Sequence, residues 1–349
     1  MEWPAAHDLL AGPRGRRLCW CLLDPGDQGA WSLAWAGAVH GDPATLARAL
    51  AACAASTDLD AAVTHADQVS LLATLAELVD DAQYWGEPDA IDSALSAQAA
   101  RDALLPVAGA VTVAPAAQWW PSLIAISSQQ YVEWPDEYGG PPVLAGTAAE
   151  LATWRTATVE DELSARKRPE DPSASWSGHW WSAPVPSLLP STTRSLPGLG
   201  AVGLALEEDG FGQRRARCWP VEPRPGAQIF EITGPEDWTS LVRRYPIDVS
   251  RSRRHDWWRA TGWAGKWLIP DFAAAAADYD GIHLSVTGYL ATAGRALDVN
   301  DGRTVMAGWD PDQTFWLTDT LTSSEPATDW ADLDDGQTLG WTLSPERAG

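Results

Sequence analysis

GIHLSVTGYLATAG, residues 281–294, decides how the second half of this chain is read. Side chains alternate across a strand, so a strand over 281–290 sends His283, Ser285, Thr287 and Tyr289 to one face. Ile282, Leu284, Val286 and Leu290 then take the other. Such a polar row is either a hydrogen-bonding wall for a ligand or the solvent side of an antiparallel sheet. VGLALEED (202–209), RRARCWPVE (214–222), AQIFEIT (227–233), RTVMAGW (303–309) and TFWLTD (314–319) also read as strands. GPEDWTSLVRRYP (234–246) and PDFAAAAADYD (270–280) read as short helices, each opened by a proline with acidic residues in the first turn. Asn300-Asp301-Gly302 and Asp310-Pro311-Asp312 are turn signals. Connections this short leave little room for helical crossovers, so the expectation is a mixed, mainly antiparallel α+β domain over 171–323.

Upstream, residues 1–170 read as a mostly helical domain. Pro43 stands at a first helical position before ATLARALAACAAS. THADQVSLLATLAELVDDAQYW (64–85) carries an apolar stripe with Thr64 as its cap. A helix opened by Glu87-Pro88-Asp89 should end or kink at Pro106. TAAELATWRTATVEDELSARKR (147–168) starts with Thr147 and Glu150 in capping-box spacing. LCWCLL and WSLAWAGAVHG, before these helices, suggest a short hairpin. WWPSLIAISSQQYVEWPDEYGGPPVLAG (119–146) and STTRS (191–195) read as loop, the latter a candidate anion-holding turn. Residues 324–349 form an acidic tail expected to pack loosely.

Composition narrows the function classes. The 349 residues carry 47 acidic against 24 basic groups, a formal net charge of −23. That field repels nucleic acid and anionic membrane and favours cationic partners. The four cysteines, Cys19, Cys21, Cys53 and Cys218, form no CxxC pair, which argues against a disulfide-stapled secreted fold. No basic segment leads into a long apolar run near the start, and no run reaches a membrane span, so the expected location is the cytoplasm. The 22 tryptophans stand out beside four phenylalanines. Trp serves core packing and is also over-represented at binding hot spots.

The sharpest local feature is RRYPIDVSRSRRHDWWRATG, residues 243–262. It places Arg243, Arg244, Arg251, Arg253, Arg254 and Arg259 beside Tyr245, Trp257 and Trp258, against two aspartates. Guanidinium forks suit phosphate or carboxylate, and flat aromatic rings accept another ring. Arg251, Arg253, Arg254, Trp257, Trp258 and Ser285 are therefore the candidate binding residues for an anionic small molecule or a protein partner. The surplus of carboxylates supplies the competing reading, internal ion pairs. His255, His283, Tyr289 and Glu231 are the candidate acid–base groups. His179 and the following Trp180 and Trp181, in SGHWWSAP (177–184), suggest a lid or rim. No spacing marks a metal site, and the common nucleotide, protease and esterase motifs are absent.

In WWSAP (180–184), YPIDVSRSRRHDWWRATG (245–262), IPDF (269–272), DYDGIHLSVTGYL (278–290) and AGWDPDQTFWL (307–317), the chain resembles an uncharacterised family of Trp-rich acidic proteins from high-GC bacteria. That resemblance implies no activity and carries no functional residue. The leading expectation is a recognition protein of immunity or regulatory type, with a Trp- and Arg-lined face and no cofactor. The alternatives are an NAD-using, ADP-ribosyltransferase-like enzyme and a structural subunit of a larger assembly.

Overall fold

The computed structural model describes residues 5–23, 37, 42–134, 142–184, 189–210, 212–323, 326–333 and 339–344. It is an α+β protein. Helices dominate the first part: Ala6–Ala11, Pro13–Cys21, Pro43–Ser56, Gln68–Asp80, Ala90–Leu95, Gln98–Val113 and Thr147–Ser164. The strands, in chain order, are β1 (Gln129–Glu133), β2 (Ser191–Leu196), β3 (Gly200–Ala201), β4 (Arg215–Pro220), β5 (Glu222–Pro223) and β6 (Ile229–Ile232). They continue with β7 (Pro246–Asp248), β8 (Leu268–Pro270), β9 (Gly281–Leu284), β10 (Leu297–Val299), β11 (Gly302–Thr304) and β12 (Thr314–Trp316). Last come β13 (Leu321–Thr322), β14 (Thr328–Asp332) and β15 (Trp341–Leu343). Helices Pro235–Arg244, Arg254–Thr261, Phe272–Ala275 and Val286–Thr292 lie among them.

Nine strands form one sheet in the order β15-β14-β4-β1-β2-β12-β9-β6, with β3 paired to β2. The pairing is antiparallel except for β6 and β9, which run parallel. The chain between those two strands contains three helices, which gives it the length a parallel return requires.

The 281–294 stretch breaks in two. The strand ends at Leu284, and Ser285 caps the helix Val286–Thr292 by accepting from the Gly288 amide at 3.0 Å. The Ser285 amide donates to the Ile232 carbonyl at 3.0 Å, so the cap is also the last rung of the β6–β9 pair. A Cβ on Gly288 would come within 2.3 Å of that carbonyl, so only glycine lets the helix sit this close to the strand end. The expected polar row therefore does not exist as one face: His283 is on the strand, Ser285 is the cap, and Thr287 and Tyr289 are on the helix.

Other expectations change for similar reasons. Cys19 and Cys21 lie on the helix Pro13–Cys21 rather than a strand, and the WSLAWAGAVHG half of the expected hairpin falls almost entirely outside the described residues. Asp67, not Thr64, caps Gln68–Asp80. Pro106 sits inside the uninterrupted helix Gln98–Val113. Asp319, from a distant loop, accepts from the Gly146 and Thr147 amides and the Thr147 hydroxyl, replacing the expected capping box. STTRS is a strand, and Val202–Leu204 is a 3-10 turn rather than one. The acidic tail adds β14 and β15 to the sheet, with Trp330 buried against Gly200.

One buried cluster runs across the boundary expected near residue 170. It joins Leu9, Leu18, Leu50 and Leu104 to Trp238, Tyr289, Trp309 and Phe315. Strand β1, from the helical part, sits between β2 and β4.

Candidate functional site

The helix Arg254–Thr261 and the residues before it answer the question raised by the clustered arginines. Arg253 Nε donates to the Trp181 carbonyl at 3.1 Å. Trp257 Nε1 donates to the Trp180 carbonyl at 2.6 Å. Arg259 reaches two more, the carbonyls of Trp85 and Trp176, each at 2.8 Å. Four tryptophan backbones are thus held by one short stretch. Asp256 completes the grip, accepting from the Ser177 hydroxyl at 2.9 Å and the Gly178 amide at 3.0 Å while pairing with Arg259.

Carboxylates from the helix Thr147–Ser164 close the other side. Glu162 accepts from the amides of Arg251 and Ser252 and pairs with the Arg251 guanidinium. Asp161 lies between Arg168, Arg253 and His179. Arg254 Nη1 donates to the Pro169 carbonyl at 2.6 Å. Arg244, further back, pairs with Asp278. Arg253 is 3% exposed, and burial lowers its guanidinium pKa to about 10 despite Asp161 nearby. A group so enclosed cannot meet a ligand arriving from solvent. Arg253 acts in this structure as a clamp, while Arg251 stays exposed and Arg254 half-buried.

What the clamps hold is only partly buried. The indoles of Trp85 and Trp180 lie 4.7 Å apart between centroids at 46°, and Trp180 meets Trp181 at 5.8 Å and 86°. The His179 ring is 4.6 Å from Trp181. Trp176 is 43% exposed, with Arg168 over its ring at 5.7 Å. Trp85, Trp180 and Trp181 are half-buried, and His179 is exposed. Burial, then the nearby Arg253 charge, hold His179 below the ordinary histidine range. Trp257, by contrast, is fully buried, and Trp258 is half-buried. The HWW signal was visible in the sequence. Trp85 carried none, because its carbonyl is found by a residue 174 positions away.

The acid–base candidates fall into three places. His283 Nδ1 lies 2.5 Å from Glu231, and its Nε2 lies 3.4 Å from Asp312. Asp312 also accepts from Arg194 Nε at 2.6 Å, and the Ile124 amide donates to Glu231 at 3.1 Å. These carboxylates raise the His283 pKa against its burial. His283 is 1% exposed with both ring nitrogens engaged, which fits a charged structural link better than a group that touches substrate. Tyr289 is elsewhere, its hydroxyl 3.3 Å from that of Tyr84. His255 is 1% exposed on the clamp helix, with burial and Arg254 lowering its pKa. His283 and Tyr289 thus hydrogen-bond to different partners. Asp312 and Arg194 were read only as parts of a turn and a loop.

Among the described residues no group of three or more His, Cys, Asp or Glu side chains is placed to hold a metal ion, and no described helix is long and apolar enough to cross a membrane. No family model, curated protein or solved structure matches the chain.

Proposed function

We propose that this chain is a recognition protein whose contact surface is the tryptophan face of Trp85, Trp176, Trp180 and Trp181, and that its partner is a protein segment carrying basic side chains. One observation carries the reading: four tryptophan carbonyls are fixed by Arg253, Trp257 and Arg259 while the rings stay partly open to solvent. Large flat side chains held in advance lose little freedom on contact, which is how aromatic hot spots give affinity. The charge of −23 favours a basic partner, and indole faces attract cations.

The test is selection of displayed random peptides on the folded protein, with Trp180→Ala and Trp85→Ala as counter-selections checked for retained fold. Enriched peptides should carry Lys or Arg beside an apolar residue. They should bind at least tenfold more weakly to either variant, a difference of about 1.4 kcal/mol. Peptides that bind the variants equally well, or no enrichment of basic sequences, would refute the proposal.

A further inference from the structure

Arginines also gather far from the clamp, where two helix ends meet. Gly12 joins the helices Ala6–Ala11 and Pro13–Cys21. It presses on the end of Val286–Thr292: a Cβ there would come within 2.2 Å of the Leu290 carbonyl oxygen and 3.0 Å of that of Ala291. Arg16 Nη1 donates to the carbonyls on one side of this contact, Leu10 at 3.1 Å and Ala11 at 2.9 Å. Arg295 Nη1 donates to one on the other side, Ala291 at 2.7 Å. Arg101 stands at the start of Gln98–Val113, which packs against both N-terminal helices, and its Nη2 donates to Gln98 at 2.7 Å.

Each guanidinium uses one nitrogen in these bonds and keeps the rest of its fork. Arg16 is 8% exposed, and its Nε is buried without a partner. Arg101 and Arg295 are half-buried. Among the described residues, no carboxylate comes within ion-pairing distance of any of the three. Arg253, equally enclosed, has Asp161 at 3.4 Å. Asp92, whose charge reaches Arg16, is paired with Arg14 at 2.8 Å and with Arg17 at 3.6 Å. Asp102 accepts from Gln98, Asp8 accepts from the Ala5 amide, and Glu236 is exposed. Burial lowers Arg16 to about 10, and the Arg101, Arg14 and Arg295 charges push the same way. A buried cation without a counter-ion is costly, and an arriving anion removes that cost. The charge of −23 opposes this only at long range, because salt screens it beyond about 8–10 Å.

We propose that Arg16, Arg101 and Arg295 form a binding site for a doubly charged oxoanion, the phosphoryl group of a small molecule. The half-buried Arg101 and Arg295 meet it from solvent, with guanidinium forks that match its oxygens. Arg16 adds the third charge from within. The site does not depend on the tryptophan face, so either can fail alone.

The experiment is titration of inorganic phosphate into the full-length protein at fixed ionic strength, read by phosphorus NMR linewidth and by melting temperature. Acetate is the singly charged comparison. Phosphate should bind saturably with a dissociation constant of about 1 mM or tighter and raise the melting temperature. Arg101→Gln and Arg295→Gln should each weaken binding at least tenfold. They are chosen over Arg16, whose loss would also release the Leu10 and Ala11 carbonyls. The exposed Arg243→Gln removes the same charge elsewhere and should change nothing. Absence of saturable binding, equal binding of acetate, unchanged affinity in either Arg101→Gln or Arg295→Gln, or an equal loss in Arg243→Gln overturns the site.

Discussion

Arg259 holds the carbonyl of Trp85 at 2.8 Å across 174 positions of chain. The same guanidinium holds Trp176 and pairs with the buried Asp256, so one side chain ties three segments together. Replacing it leaves a buried carboxylate without its cation. Arg259→Ala should cost about 3 kcal/mol in urea unfolding, the usual penalty for an abandoned buried charge. Arg259→Lys should recover only part, because an ammonium cannot make the same fork.

His283 gives a pH dependence of opposite origin to that of an ordinary paired carboxylate. Its folded pKa is raised above the unfolded value near 6.5 by Asp312 and Glu231. The link therefore contributes fully below about pH 6.5 and is lost as pH rises through the folded value. His283→Gln should destabilise the protein more at pH 5.5 than at pH 9.5. Chemical denaturation at the two pH values measures this, and an equal loss at both would show that the imidazole is neutral.

Gly308 is the turn on which the tryptophan face sits. Gly308→Ala combines a left-handed backbone with a Cβ pressed on Trp181. A loss of about 1–3 kcal/mol is expected, with altered near-ultraviolet circular dichroism from displaced indoles. An unchanged spectrum would mean that the face does not depend on this turn.

Ser285→Ala removes the cap of the helix Val286–Thr292 and should cost about 1 kcal/mol by thermal unfolding. Ser285→Asp keeps an acceptor but buries a carboxylate against the Ile232 carbonyl, so it should not recover that stability.

The strand-to-helix change at Ser285 was hard to read locally, because apolar residues at 282, 284, 286 and 290 satisfy strand alternation. The decision is made by the Ile232 carbonyl, which the Ser285 amide meets only after β6 has docked. STTRSL looked like loop for a related reason. Thr192, Thr193 and Arg194 are buried in mid-sheet because Gln129, the Gly203 amide and Asp312 satisfy them from elsewhere. Elements with their own signals were legible: Pro235 with Glu236 and Asp237, the Asn300-Asp301-Gly302 turn, and the strands β4 and β6. The arginine cluster was visible as a cluster. Its acceptors were not, since a backbone carbonyl leaves no mark in the sequence.

Strand β1 also sets an order of events during synthesis. It leaves the ribosome before both of its neighbours, β2 and β4, and β4 itself waits for β14 more than a hundred residues later. Until β2 and β4 follow, the growing chain carries an unsatisfied ribbon, Gln129–Glu133, with both edges open. Those edges stay open until β4 emerges, and a version cut near residue 170 would keep them open permanently.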